Sequence, residues 1–221
     1  PRFYDVTEGR ITIDGKDVRS LTLNSLRNQI GLVQQDVYLF CGTIRENIAY
    51  GKPQATMEEI IEAAKKANIH DFIEELPDGY DTLVGERGVT LSGGQRQRVA
   101  LARAMVQGHK VLLLDEPFVH LDEKLRAQMG KELRELHKRL GITILYATKD
   151  QAEAVALGDR IAVMKEGFIQ QAGAPEELYA SPANQFVAGF LGNPPMNFLN
   201  VKVGADGSDY TFTFGKSAVR M

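Results

Sequence analysis

Tryptophan is absent from the 221 residues, and cysteine occurs once, as Cys41. A single thiol excludes an intramolecular disulfide framework and suits a reducing compartment. Long apolar runs are missing too: Phe186 to Leu191 falls far short of the ~18 residues a membrane span needs. No basic leader precedes an apolar stretch at Pro1, so a secretory signal is not expected. Charge of one sign is equally scarce. The 26 basic and 29 acidic side chains leave a formal net charge of −3, scattered along the chain, which excludes a polybasic nucleic-acid or membrane clamp. His70, His109 and His137 have no Cys or His partners at ligand spacing, so no zinc site is indicated. What is present is the 43% hydrophobic and 25% charged composition of an ordinary soluble globular protein, expected in the cytoplasm. A chain this long buries roughly 70% of its unfolded surface and makes one large domain, with room for a small appendage.

Local patterns mark out the elements. Arg10 to Asp14 alternates apolar and polar residues, and Asp14-Gly15 makes a turn. Ile30 to Val33 reads as a short strand leading into Gln34-Gln35-Asp36. Thr56 and Glu59 have capping-box spacing, with Ile60, Ala63, Ala64 and Ala67 following at helical spacing. Val111 to Leu114 is an uninterrupted apolar run ending at Asp115-Glu116-Pro117, the pattern of a parallel strand covered on both faces. The helix after it carries Leu125, Met129, Leu133, Leu136 and Leu140 on one stripe and stops at Gly141. Ile142 to Ala147 is the next strand, and Asp150 with Glu153 has the spacing of a helix start. Arg160 to Met164 and Phe168 to Gln171 flank a hairpin turn at Glu166-Gly167. Pro175 and Pro182 suit the first turns of two short helices. Alternation at Val201, Val203, Tyr210, Phe212 and Phe214 marks a new β element, at best one hairpin within 196–221. Strands alternating with helices over the second half of the chain give an α/β core.

Chemistry concentrates in two places. In Leu91-Ser92-Gly93-Gly94-Gln95, Ser92 is a good N-cap, Gln95 stands at the capping-box position, and two glycines let backbone amides approach a ligand. A helix N-terminus of this kind is an anion site for which phosphate is the natural occupant. Read alone, the segment also fits a plain capped helix after a loop. The second place is Asp115-Glu116, adjacent carboxylates at the carboxyl end of a buried strand, where α/β proteins bind ligands. Asp115 suits a Mg²⁺ ligand, and Glu116 could orient or deprotonate an attacking water.

Together these motifs resemble the nucleotide-binding domain of ABC transporters over essentially the whole chain. The resemblance implies an α/β, ABC-type P-loop NTPase core, incomplete at the N-terminus, with an inserted α-helical subdomain and the start of a C-terminal β regulatory domain. It implies ATP and Mg²⁺ as cofactors, and a second nucleotide-binding domain and transmembrane permease subunits as partners, with no nucleic acid. It also implies a peripheral location on the cytoplasmic face of a membrane. On this resemblance Ser92, Gly93, Gly94 and Gln95 bind the γ-phosphate of an ATP held by the opposite subunit, and Asp122 closes the D-loop beside it. Asp115 and Gln35 hold Mg²⁺, Gln35 also meets the attacking water, Glu116 is the catalytic glutamate, and Lys149 occupies the switch-histidine position. The expected divisions are 1–34 as a remnant of the ATP-binding core, 35–98 as the helical signature subdomain, 99–192 as the α/β core, and 193–221 as the truncated start of the regulatory domain.

The two halves resemble different branches. Leu39 to Ile48 and Val84-Gly85-Glu86-Arg87-Gly88 look like ABC exporters, the latter like their X-loop. Leu121 to Arg126, Gly173 to Leu178 and Pro194 to Phe198 look like sugar-importer ATPases, so sugar transport is one expectation. Tyr38, Leu39, Phe40 and Ile44 are expected to form an exposed apolar patch where the family seats a permease helix.

The chain also departs from the family pattern. The P-loop pattern G-x-x-x-x-G-K-[ST] is not found: Gly9 to Lys16 has one residue too many, and Gly215-Lys216-Ser217 has Tyr210 in place of the first glycine. The reading is of a chain that starts downstream of its main ATP cradle. Lys149 has three donors and no acceptor, so it cannot copy a histidine's donate-and-accept relay, although it could meet phosphate as a point charge. His120 sits in the D-loop and reads as structural. The leading expectation is an ATP-hydrolysing transporter subunit, inactive alone. The alternative is a non-hydrolysing, degenerate domain that lends only its LSGGQ face to a partner. An ABC ATPase of the DNA-repair kind is set aside, because no sustained heptads separate Gln35 from Ser92.

Overall fold

A computed structural model describes all residues except 86–90, 120, 193, 207–208, 216 and 221. The chain divides into two compact units, 1–157 and 158–221.

In the first unit, β1 (Thr12–Ile13) and β2 (Lys16–Asp17) form a small antiparallel ribbon, and its turn places Asp14 and Gly15 at positive φ. Helix α1 (Leu23–Arg27) leads to β3 (Ile30–Val33). Strand β4 (Gly42–Thr43) runs into α2 (Ile44–Ala49), followed by α3 (Met57–Lys66) and α4 (His70–Glu74). Strand β5 (Leu83–Val84) pairs antiparallel with β4. The long helix α5 (Gly93–Val106) precedes β6 (Val111–Asp115), then α6 (Glu123–Leu140), β7 (Thr143–Ala147) and α7 (Gln151–Leu157).

The three longer strands form one parallel sheet in the order β3-β6-β7, with Val33 opposite Leu114 and Asp115 opposite Ala147. Leu112 and Leu114 are buried in one core with Val99 and Leu101 of α5 and Met129, Leu133 and Leu136 of α6. Leu125, Met129, Leu133 and Leu136 of the expected α6 stripe face this core, and Gly141 ends the helix in the left-handed conformation (φ 60°). The both-face covering expected for β6 is incomplete: Leu112 and Leu114 are buried, whereas Val111 and Leu113 are only partly buried. Leu32, Leu113 and Leu145 align across the other face, and Leu32 and Leu145 are 38% and 66% exposed.

Three of the four residues expected in the exposed patch behave differently from the fourth. Tyr38 and Phe40 are exposed and Leu39 is partly buried, whereas Ile44 is fully buried. The reason is helical: Thr43 and Glu46 make a capping box that starts α2 at Ile44, and Ile44 and Ile48 then share the core-facing stripe. Burying such a side chain contributes about 1.5–3 kcal/mol, which decides its position.

In the second unit, β8 (Ile161–Lys165) and β9 (Phe168–Gly173) form the expected hairpin. Helix α8 (Pro175–Ala180) has Pro175 at its start as expected. Helix α9 (Gln185–Phe190) does not begin at Pro182. Its cap is Asn184, whose side chain accepts the Val187 N–H, so the proline lies ahead of the helix. The tail is a three-stranded antiparallel sheet of β10 (Lys202–Asp206), β11 (Asp209–Phe214) and β12 (Ser217–Arg220), one strand more than the hairpin expected. Gly215, at φ 55°, supplies the additional turn.

Candidate functional site

The parallel register gathers the site. Residues just past the ends of β3, β6 and β7 come to one edge of the sheet, because Val33, Leu114 and Tyr146 are aligned and the chain leaves each strand in the same direction. Gln35 follows β3, Asp115-Glu116 ends β6 and Lys149 follows β7, so all leave their strands at that edge. Gln35 and Asp115 are exposed.

Glu116 is tied more closely. Its backbone is left-handed (φ 42°), its N–H donates to the Ala147 carbonyl at 2.9 Å, and its carbonyl accepts from Gln97 Nε2 at 3.4 Å. Its carboxylate is mostly covered, and Oε2 lies 3.0 Å from Lys149 Nζ. Two of the three residues that the family resemblance singles out for hydrolysis are thus an ion pair.

The loop bearing Lys149 is fastened on both sides. Thr148 Oγ1 donates to Glu153 Oε2 at 2.8 Å and accepts the Asp150 N–H at 3.0 Å. Tyr146 also donates to Glu153 Oε2, and burial beside that carboxylate pushes its phenol above the usual range, keeping it a donor. Arg126, in the first turns of α6, donates to Asp150 Oδ2 and to the Leu121 carbonyl. Asp122 is the N-cap of α6 and accepts the Leu125 N–H at 2.9 Å. Arg126 therefore links the segment around Asp122 to the loop around Lys149.

The Ser92 to Gln95 segment has the expected form. Ser92 Oγ accepts the Gln95 N–H at 3.2 Å, and Gln95 Oε1 accepts the Ser92 N–H at 2.7 Å, a complete capping box. Helix geometry leaves the first-turn N–H groups of Gly93 and Gly94 without an intrahelical acceptor; Gly93 is partly exposed and Gly94 is buried. The bonds of Ser92 and Gln95 are local to α5, and α5 reaches the carboxylate cluster through Gln97, not through the cap.

Gln97 and Arg126 were not singled out from sequence, and Glu153 was read only as part of a helix start. Gln97 did leave a signal, since a polar residue four positions before Leu101 falls on the apolar stripe of α5; it is buried, and its Oε1 has no partner among the described residues. Glu86, Arg87 and Gly88 of the X-loop expectation, and His120, lie outside the described residues. Among the described residues there is no cluster of three or more His, Cys, Asp or Glu side chains able to hold a metal, and no helix long and apolar enough to cross a membrane.

The chain is similar to known proteins over most of its length. It is 48% identical over 178 residues to a putative multidrug export ATP-binding/permease protein of Bacillus subtilis, which covers 80% of the chain and 30% of that protein. It is 47% identical over 178 residues to a multidrug efflux ATP-binding/permease protein of Mycobacterium tuberculosis, covering 80% of the chain and 15% of that protein. The chain thus spans under a third of these relatives, and neither supports the expectation of sugar transport. The structure of a bacterial Atm1-family ABC exporter with ATP bound superposes with a TM-score of 0.78 at 40% identity, covering 86% of the chain and 32% of that structure. The ABC transporter family profile matches residues 2–119, so the chain, with its ATPase-type α/β fold, belongs to the ABC transporter family.

Proposed function

We propose that the chain is part of the ATP-binding engine of an ABC transporter of the export type, and that alone it does not turn over ATP. The observation that carries this reading is the parallel register that ends β3, β6 and β7 at one edge, where Lys149 pairs with Glu116, with a separate capped helix start at Ser92. That division fits a dimer in which each nucleotide lies between one subunit's strand ends and the other's Ser92–Gln95. The four divisions at 1–34, 35–98, 99–192 and 193–221 belong to the same reading. A permease segment would dock at Tyr38 and Phe40, exposed by 83% and 43%, on the cytoplasmic face of a membrane.

The donor set suits Mg²⁺, a hard cation that binds through one or two carboxylates and phosphate oxygens. Asp115 and the Gln35 amide oxygen would hold it, and it would supply charge neutralisation at the phosphates. Ser92 Oγ, which accepts within the cap, still has its hydroxyl proton to give to a phosphate oxygen, and the Gly93 and Gly94 amides offer two more donors. Glu116 would orient the attacking water and accept its proton. Positioning dominates phosphoryl transfer, and the 221 residues contain no G-x-x-x-x-G-K-[ST] to cradle the β- and γ-phosphates.

Steady-state phosphate release with Mg-ATP tests this. The chain alone is expected to give none, whereas an intact ABC ATPase domain is expected to be stimulated by wild type and not by Ser92→Arg. Turnover by the chain alone that disappears in Glu116→Gln would overturn the first half. Stimulation that ignores Ser92 would overturn the second.

A further inference from the structure

The Lys149–Glu116 pair joins a fixed partner to a movable one. Glu116 is held through its own backbone at both N–H and carbonyl. The chain neighbours of Lys149 are held as well: Thr148 by Glu153, and Asp150 by Arg126 and by the N–H groups of Ala152 and Glu153 that its Oδ1 accepts. Only the Lys149 stem is free to swing, and its side chain is 72% exposed against 20% for Glu116.

An ammonium with three donors and no acceptor can serve a carboxylate or a phosphate equally well, as a point charge. A pair with one water-exposed member is weak. A polyphosphate brings several negative charges against the single charge of Glu116, so within reach of the stem it is the stronger counter-ion.

We propose that Lys149 is a phosphate-responsive latch on Glu116. Paired with Glu116, it occupies Oε2 and neutralises the carboxylate, masking the group that would accept a proton from water. When a terminal phosphate arrives, the ammonium transfers to it and the carboxylate is uncovered. No covalent bond changes. The histidine-like relay that a lysine cannot make is replaced by an exchange of counter-ions. This rests on the ATP-engine reading above, and adds to it an order of events: phosphate first, base second.

The test is residue-resolved chemical labelling of the full 221-residue chain, read by peptide mass spectrometry. Acetic anhydride reports the Lys149 amine, and carbodiimide with glycinamide reports the Glu116 carboxylate; Lys131 and Glu123 serve as internal references. Without phosphate, Lys149 acylation is expected to be about threefold slower in wild type than in Glu116→Gln, the size expected of an ion pair with one exposed member. Glu116 amidation is expected to be slower in wild type than in Lys149→Met by a similar factor, so the two variants check each other. Added tripolyphosphate should raise wild-type Glu116 amidation to the Lys149→Met level while keeping Lys149 protected. Equal Lys149 acylation in wild type and Glu116→Gln would overturn the latch, as would Glu116 amidation that tripolyphosphate leaves unchanged. Failure of the ATP-engine reading shows separately, as partner turnover that is independent of Ser92.

Discussion

Glu116 adopts a φ of 42°, where a side-chain-bearing residue meets its own backbone. That conformation costs roughly 1–2 kcal/mol and persists only when surrounding contacts enforce it. The Ala147 carbonyl and the Gln97 amide are the enforcing contacts. Glycine relieves the clash and alanine does not, so Glu116→Gly is expected to be more stable than Glu116→Ala by about 1 kcal/mol in urea denaturation. An equal or reversed order would show that Glu116 is not strained. His109 offers a second test at this scale. Its ring is buried, its Nδ1 is 3.1 Å from the Asn28 carbonyl, and burial holds its pKa below the ordinary 6.5 while that hydrogen bond opposes the shift. The native chain therefore binds this proton less readily than the unfolded chain. Its contribution to stability is full above the unfolded value and falls as pH drops through it, until the folded state protonates too. Denaturation midpoints at about pH 7.5 and about pH 5.5 are expected to differ more for wild type than for His109→Gln. Identical differences would remove His109 as a source of acid sensitivity.

The elements of this chain are announced by their ends. Thr43–Glu46, Thr56–Glu59 and Ser92–Gln95 all form reciprocal capping boxes. The last two were legible because a cap is a contact between residues three apart and needs nothing from the rest of the fold. Ser92→Ala removes one such contact and is expected to cost about 1 kcal/mol of stability, with faster amide exchange in the first turn of α5. A Ser92→Ala chain as stable as wild type would mean that packing alone starts α5. Legibility failed where distant chain segments decide. Ile44 read as surface because its stretch is rich in apolar residues, and only the direction of α2 shows that it turns inward. The third tail strand follows from a pairing across Gly215 that two alternating runs did not require. At the site, Ser92, Asp115 and Glu116 stood out through local motifs. Gln97 and Arg126 did not, because their partners Glu116 and Asp150 lie 19 and 24 positions away. The lysine at position 149 was plain in the sequence; its bond to Glu116 was not, since it depends on β6 and β7 being neighbours.

At the scale of the whole molecule, the two units differ in what holds each of them. The core of 1–157 draws buried side chains from α2, α3, α5, α6 and the parallel sheet. Among the described residues, the core of 158–221 consists of Val163, Leu178, Val187 and Leu191, with Ile161, Phe186 and Phe190 packed against it. Four buried aliphatic side chains at about 1.5–3 kcal/mol each are little for a segment of that length, given the conformational entropy its ordering removes. Its last three strands add little to this, since Val203, Tyr210, Phe214 and Val219 are all exposed by more than a third. Removing one of the four should therefore be felt throughout the smaller unit. Val187→Ala is expected to cost about 1–2 kcal/mol locally and to speed amide exchange across β8 and β9. Exchange in β6 and α5 should stay at the wild-type rate, because the core around Leu112 and Val99 loses nothing. Separate peptides bear on the same point: 1–157 is expected to unfold in one cooperative urea transition, and 158–221 to show only a broad one. A sharp transition for 158–221 alone, or exchange in β6 that follows Val187→Ala, would mean that stability is not divided along this boundary.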